Sequence, residues 1–556
     1  MLKPKKTKDI GAISYVQCPA KTYEDKAGNK QLGRTVFNHC QIVGEVAKEL
    51  IKRSPAAHLF PQGSAFTAAT HDIGKVSTHF YNKLHDACKL ELLPNINFEL
   101  EKQWGGHAGV SQATAKALGA PEYIAEILGG HHGFAPNLGG KTALAEQFGG
   151  EAWQSERKKL VEALEDALQE KWPQVASYAT ARLIAGLTSV ADWIGSGQHF
   201  DNPNDDWQPK IQQALDEAGF IKPTIQTGLS FEQVFGFSPR EAQSQLIEQA
   251  SKPGVYVLEA PMGLGKTEAA LYAAYQLLEK GLASGIYFAL PTQLTSNKIY
   301  DRFNAFLTQI LAENCPHKKA LLLHANAWLM ETEMGEEGRP GGAWFNQSKR
   351  GLLAPFAVGT LDQALMAAMN VKHGFVRAFG LAGKVVILDE VHTYDAYTGT
   401  IMDALIKLLK ELDCTAIVLS ATLSQKRRQT LIGKPTASMA YPLITALAKN
   451  SEQVIEREVT PPKASLTQLQ LIQDENLALE EALKRAEQGQ QVLWLENTVK
   501  EAQERYLQLA ARTKNLGADC GLLHSRFTFE HRQNLEEKWV NLYGKPAWEN
   551  HKKGNG

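Results

Sequence analysis

The sequence predicts a multidomain chain with an all-α domain first, an α/β lobe after it and part of a second α/β lobe at the end. Three observations carry this. From about Thr35 to Ser196 apolar residues recur at helical spacing, as in Val36, Val43, Val46 and Leu50, and again in Leu183, Ile184, Leu187, Val190 and Ile194. From Val255 the pattern changes to short apolar runs followed by helical stretches: Val255 to Leu258, Gly285 to Leu290, Val385 to Leu388 and Ala416 to Leu419. Near-continuous apolar strands of this kind belong in a parallel sheet covered on both faces. A break at Pro461-Pro462 then precedes the apolar run Leu469 to Ile472, a helix over Ala478 to Gln488 and a buried-strand run over Gln491 to Leu495, the start of a second lobe.

These readings divide the chain into an extension over 1–34, a helical domain over 35–200, a linker over 201–228, a first α/β lobe over 229–455 and a partial second lobe over 456–556. The linker is expected from the polar stretch between Gln198 and Lys222, which holds Asp201, Asn202, Pro203, Asn204, Asp205 and Asp206. At 556 residues and 44% hydrophobic, the chain can bury several cores, and a prior of roughly 100–200 residues per domain suggests three or four domains. The net charge is -1, so a grip on nucleic acid must come from local basic patches. Six cysteines without a C-x-x-C spacing argue against a disulfide framework or a cysteine zinc site and point to the cytoplasm. Lys3, Lys5, Lys6 and Lys8 make a basic start, but the stretch after them is too short and mixed for a signal peptide, and no apolar run reaches membrane-spanning length.

The helical domain carries His39, His71-Asp72, His107, His131-His132 and Asp192. Imidazole and carboxylate are the usual ligands of divalent transition metals, and seven such groups could hold two ions if the helices converge. An adjacent His-Asp pair suits this purpose because one carboxylate can bridge two ions while the histidine anchors one. Two metals about 3.5–4 Å apart clamp the attacking and leaving oxygens of a phosphodiester displacement. Lys75, about one turn beyond His71, could offset phosphate charge. A single histidine is more often a satisfied structural residue, and His58, His79 and His85 are read that way. The set is different: His107 and His131-His132 follow glycines at expected helix ends, and His39 and Asp192 lie near apolar stripes, where an unpartnered aspartate would be costly.

The α/β lobe opens with a phosphate-cradling loop, Ala260-Pro261-Met262-Gly263-Leu264-Gly265-Lys266-Thr267, set between a strand and a helix as such loops require. Gly263 and Gly265 let backbone N–H groups approach the phosphates of ATP, Lys266 reaches the β and γ groups and Thr267 ligates magnesium. Ala260 stands where the general pattern has its first glycine. Asp389-Glu390, at the end of a later strand, place one carboxylate for the magnesium shell and a second to orient the attacking water. Ser420-Ala421-Thr422 caps the next strand, and the segment from Phe237 to Gln243 offers an aromatic and an amide suited to adenine.

At these motifs the chain resembles superfamily 2 helicases, and with the His/Asp domain in front it is similar to the HD-nuclease/helicase effectors of type I CRISPR interference, from about His39 to Arg532. The resemblance implies a helical HD nuclease, one full RecA-like lobe and part of a second. It also implies a 3′-to-5′ motor driven by ATP with magnesium, and partners in single-stranded DNA and a guide-RNA surveillance complex. It places the nuclease motifs at His39, His71-Asp72, Lys75, His107, His131-His132 and Ala191-Asp192-Trp193 with Ser196. The helicase motifs fall at Gln243, the Lys266 loop, Pro291-Thr292-Gln293, Val358 to Gln363, Asp389 to His392 and Ser420 to Thr422, with Leu290 to Asn297 and Thr360 on the DNA backbone. His39, His71, Asp72 and Asp192 would hold one ion and Asp72, His107, His131 and His132 the other, each being iron, manganese, nickel, cobalt or zinc.

The family continues past a segment like Leu522 to Arg532 into an arginine-rich helix, whereas Lys545 to Gly556 contain no arginine, so weak ATP hydrolysis is expected of this polypeptide alone. Two rival readings stand beside the nuclease: an HD phosphohydrolase on nucleotides with a regulatory ATPase lobe, and a catalytically silent DNA- or partner-binding fragment.

Overall fold

The computed structural model describes residues 11–25, 27–93, 105–139, 149–323, 342–345, 349–391, 396–463 and 467–544. They form two bodies that meet in sequence at Pro462-Lys463.

The first body begins with a small hairpin, β1 (Thr22–Glu24) and β2 (Lys30–Leu32), followed by a helical layer. Helix α1 (Val36–Arg53) starts where the Thr35 hydroxyl accepts the Asn38 N–H, and it buries Val36, Val43, Val46 and Leu50 as one stripe. His39 falls inside that stripe. The remaining helices of this layer are α2 (Ser64–Ala69), α3 (Thr78–Ala87), α4 (Gly106–Ala117), α5 (Ile124–Gly130), α6 (Gly150–Leu168) and α7 (Tyr178–Gly195). Helix α7, capped by Ser177, is buried almost all round, as a central helix must be.

Polar composition concealed the next element. Ile211, Ala214 and Leu215, at helical spacing, are buried in α8 (Lys210–Glu217), and Arg53 of α1 pairs with Asp216. The segment expected to be a linker therefore carries a helix packed on the helical domain. The 1–34 segment is also built in: Cys18 and Ala20 join the helical core, and buried Arg34 donates to the carbonyls of Phe200, Pro203 and Asp205.

An eight-stranded sheet follows in the order β10-β9-β3-β8-β7-β4-β6-β5. Its strands are β3 (Gly254–Glu259), β4 (Ile286–Leu290), β5 (Leu321–Leu323), β6 (Phe356–Thr360), β7 (Val385–Leu388), β8 (Thr415–Ser420), β9 (Leu443–Ala448) and β10 (Ile455–Glu458). The pairings from β3 through β8, β7, β4 and β6 to β5 are parallel, and β3, β4, β6, β7 and β8 are buried along their whole length. The antiparallel strands β9 and β10 extend the sheet to Glu458, past the boundary expected at 455. Helix α9 (Glu241–Gln249) lies ahead of the sheet, α10 (Lys266–Glu279) follows β3, and α11 (Gly374–Leu381) lies between β6 and β7. Ala179 and Leu183 of α7 share one apolar core with Val257, Tyr287, Ala378 and Leu381 of the lobe. A Cβ on Gly186 would stand 2.3 Å from Phe379 Cβ, so its bare backbone permits the close contact of α7 with α11.

The second body holds α12 (Glu475–Glu487), α13 (Val499–Thr513) and α14 (Phe529–Tyr543). The strands expected over 469–472 and 491–495 are not formed: among the described residues of this body there is no β-strand, and Leu469, Leu471, Leu493 and Leu495 are exposed. An apolar run becomes a strand only with a neighbour to pair with. Among the described residues no helix is long and apolar enough to cross a membrane.

Candidate metal centre and nucleotide loop

The seven histidine and aspartate side chains converge between α1, α4, α5, α7 and the turn Thr70–Lys75. His39, His71, Asp72 and Asp192 are all buried, and one ligand atom of each lies within 4.8 Å of the others; the ligand atoms of partly exposed His107, buried His131 and exposed His132 also lie within 4.8 Å of one another. Asp72 stands between the two groups. Its Oδ2 is 3.1 Å from His39 Nε2 and 3.2 Å from His71 Nε2, whereas its Oδ1 is 3.3 Å from His107 Nε2 and 3.6 Å from His131 Nε2. Asp192 Oδ1 adds 3.3 Å to His71 and 3.7 Å to His39, and His132 Nε2 lies 3.1 Å from His107 Nε2.

Local geometry aims these groups. His71 stands in the turn Thr70–Lys75 directly after α2 and His131 caps the C-terminus of α5, and each turns Nδ1 back to the carbonyl three residues earlier, Ala68 at 2.7 Å and Leu128 at 2.6 Å. Donation of Nδ1–H there leaves the Nε2 lone pair facing inward, the arrangement metal-bound histidines use. The Ser196 hydroxyl donates to Asp192 Oδ1 at 2.9 Å. The Gly74 backbone N–H donates to Ser111 Oγ at 2.9 Å, and a Cβ at Gly74 would lie 2.0 Å from the His107 carbonyl, so only glycine lets the Asp72 turn sit against α4.

Three inward-facing atoms, His71 Nε2, His131 Nε2 and Asp72 Oδ1, are buried without a hydrogen-bond partner among the described residues. Such atoms are costly unless a ligand completes them, and nitrogen and carboxylate donors fit a divalent transition ion. Electrostatics agree. Burial raises the Asp72 carboxyl, but His71, Lys75 and His107 overcome it and hold it well below the usual range. Burial opposes a charge on His71, yet Asp72 and Asp192 push it up to about 10. The field that would hold a proton there would equally hold a metal ion. Burial pushes His39 down to about 4 and His131 well below its ordinary value, keeping both in the neutral, ligating form. Lys75 Nζ pairs with Asp72 Oδ2 at 2.5 Å, a cation inside the carboxylate shell.

The histidines set aside as structural lie outside this cluster: His58 pairs with Asp413, His79 lies 3.5 Å from the Thr78 hydroxyl and His85 stacks on Tyr81.

In the lobe, parallel strands bring the ends of β3, β4, β6, β7 and β8 to one edge, and the nucleotide motifs with them. Gly263 and Gly265 take positive φ, 84° and 75°. Ala260 does not: its N–H donates to the Ser420 carbonyl at 3.1 Å, so alanine serves in place of glycine. Lys266 Nζ donates to the carbonyls of Ala260 at 2.7 Å and Pro261 at 3.4 Å, and Thr267 lies half-buried at the start of α10. Gln243 is buried, with its amide donating to the Gly265 carbonyl and its oxygen accepting the Arg240 N–H; it holds the loop. Burial, then neighbouring Glu390, raises the Asp389 carboxyl to about 6. Thr360 ends β6, and its carbonyl accepts the Tyr287 hydroxyl. His392, the tail 545–556, residues 1–10 and the side chains of Gln293, Leu294, Thr295 and Asn297 lie outside the described residues.

Sequence reasoning did not reach Lys349, Lys372 and His373. These residues of the lobe stand beside the metal centre: the His373 ring is 5.6 Å from that of Trp193, and Lys372 lies against Gly133. No local pattern announced them. The expected position of His131 at a helix end, by contrast, is where its i−3 carbonyl contact forms.

Three family models match, described as "Cas3, HD domain" over residues 20–200, "DEAD/DEAH box helicase" over 240–431 and "CRISPR-associated nuclease/helicase Cas3, C-terminal" over 488–555. The chain is 34% identical over 438 residues to the CRISPR-associated endonuclease/helicase Cas3 of Thermus thermophilus, covering 71% of this chain and 47% of that one. It is 31% identical over 404 residues to the Escherichia coli protein, covering 65% and 45%. The chain thus spans about half the length of the curated relatives it matches. A crystal structure of T. fusca Cas3 with AMPPNP superposes with a TM-score of 0.78 at 26% identity, over 97% of this chain and 68% of that one. A chain of a CRISPR RNA-guided surveillance complex described as pre-nicking gives 0.64 at 25% identity, over 96% and 66%. The matches follow the order in which the helical metal centre, the nucleotide lobe and the C-terminal helices occur, and the chain belongs to the CRISPR-associated Cas3 nuclease/helicase family.

Proposed function

We propose that this chain nicks and degrades single-stranded DNA at the HD centre with two divalent transition ions, iron, manganese, nickel or cobalt, on target DNA marked by a guide-RNA surveillance complex. The α/β lobe binds ATP with magnesium and serves a 3′-to-5′ motor. One observation carries the reading: the two oxygens of Asp72 face two separate ligand groups. His39, His71 and Asp192 would share one ion with Asp72, and His107, His131 and His132 the other. When bound, such ions supply hydroxide near neutral pH and neutralise phosphate charge.

The chain's own residues do the rest. His71 and His131 keep their lone pairs inward through their backbone bonds, Ser196 fixes Asp192, and Lys75 offers a cation to the phosphate. In the lobe Lys266 exchanges its two loop carbonyls for the β and γ phosphates, Thr267 and Asp389 serve the magnesium, and Glu390 orients water. His107 is partly exposed and His132 is exposed, which favours a strand over an enclosed nucleotide substrate.

The test is cleavage of a labelled single strand with added metal and no ATP. Wild-type protein cuts. Asp72→Ala loses about 10³-fold or more, since one carboxylate serves both ions; cleavage unchanged in Asp72→Ala removes the two-ion reading.

A further inference from the structure

Around the exposed side of the HD centre the lobe contributes a group of cations that, among the described residues, pair with no carboxylate. Lys349 Nζ stands 4.3 Å from the centroid of Trp193, and the Arg350 guanidinium lies 4.9 Å from the same ring and 4.2 Å from Trp344. Trp193 directly follows Asp192, a candidate ligand. On the other side Lys372 runs over Gly133, where a Cβ would come within 2.6 Å of its Cγ, and Gly133 directly follows His132. His132 is also near enough for its charge to bear on His373. The cations therefore straddle the backbone neighbours of two candidate ligands.

The described residues around them leave the charge uncompensated. Among the described residues none of Lys349, Arg350, Lys372 and Arg377 forms an ion pair with a carboxylate, and Arg350 Nε, Arg377 Nε and His373 Nδ1 are buried without a hydrogen-bond partner. His373 and Arg377 are each only 9% exposed. Burial, then Arg350 and Lys372, lowers Lys349, as like charges crowded together must. The Trp193 ring fixes the positions of two cations through its negative face but supplies no full charge. Positioned, unneutralised cations beside a hydrolytic centre are what a polyanion backbone requires, and in a chain of net charge -1 they are a local feature.

We infer that Lys349 and Lys372, ordered by Trp193, Arg350 and His373, hold successive phosphates of the single strand at the mouth of the HD centre, so that the α/β lobe supplies part of the nuclease's substrate site. This rests on the nuclease reading above and adds the strand-holding residues to it. Contacts to phosphate position a strand without reading its sequence.

The experiment compares wild-type protein, Lys349→Ala/Lys372→Ala and Lys349→Arg/Lys372→Arg. Binding of a fluorescein-labelled oligothymidylate is followed by anisotropy without metal or nucleotide, at several salt concentrations. Loss of two phosphate contacts weakens binding roughly 10-fold and flattens the logarithmic salt slope by about 1.4, from about 0.7 per contact on a single strand. The arginine pair restores both, while thermal midpoint and metal content stay at wild-type values in all three proteins. Unchanged affinity and slope in the alanine pair overturn the inference, as does competition by millimolar inorganic phosphate as effective as that by unlabelled oligonucleotide. Cleavage with added metal separates the two claims. Weakened binding without cleavage even by wild type sinks the nuclease reading and leaves this surface standing, whereas wild-type kcat/KM in the alanine pair sinks only the surface.

Discussion

Asp72 and Asp389 are both buried carboxylates at the heart of a candidate metal site, and their surroundings treat them in opposite ways. Around Asp72 the chain supplies its own cations, Lys75 and the histidines, and keeps the carboxylate ionised well below its usual range. Around Asp389 it supplies burial and a second acid, Glu390, and the carboxyl rises to about 6. The HD centre is thus assembled and charge-balanced by tertiary packing, with His71, His131 and Asp192 each fixed by a second contact. The nucleotide edge is under-compensated, and its lysine rests on its own loop carbonyls until phosphate arrives. One site is preorganised; the other is completed by what it binds.

The comparison breaks most visibly if rigidity at the HD centre is tested. Gly74→Ala forces a Cβ against the His107 carbonyl and separates the Asp72 turn from α4. Misplacement of about 1 Å costs on the order of 10²-fold in rate, so metal-dependent cleavage falls by about that factor while ATP binding is retained. Cleavage at the wild-type rate in a folded Gly74→Ala protein would show that the two ligand groups need no fixed spacing.

Lys266→Ala tests the other half. Loss of a charge-assisted phosphate contact weakens ATP binding, measured by calorimetry, roughly 10–100-fold. ATP-independent cleavage stays at the wild-type level, and its loss would mean that the sites are not separate.

The smallest effect is the pH dependence at Asp389. Its folded value near 6 lies above the ordinary 3.8, so protonation favours the unliganded fold, that contribution is lost as pH rises through 6, and magnesium binding expels the proton. Magnesium–ATP affinity therefore falls as pH drops from 7 to 5, approaching about tenfold per unit below the transition. In Asp389→Asn this slope disappears; a slope equal to wild type there would assign the titration to another group.

What was legible in the sequence follows the same division. The nucleotide loop is contiguous, so its glycines, lysine and following helix announced themselves, and even the Ala260 departure is explained locally by its bond to Ser420. The HD residues could be collected because His39 lies in an apolar stripe, His71-Asp72 is an adjacent pair, and His107 and His131-His132 follow glycines at helix ends. Features created by distant packing were not legible. Helix α8 lay hidden in polar composition, and Lys349 and Lys372 meet the HD centre only through the lobe's contact with α7. The apolar runs over 469–472 and 491–495 read as strands, yet apolarity cannot supply the paired neighbour that makes one.

The central claim is that Asp72 joins two ligand groups, and metal content per chain tests it directly. Purified wild-type, His39→Ala, His132→Ala and Asp72→Ala proteins would be loaded with manganese, desalted and analysed by mass spectrometry. Two ions per wild-type chain, a single ion retained after loss of either histidine, and none retained in Asp72→Ala are the predicted results. A single ion in wild type, lost completely with either histidine, would contradict the account.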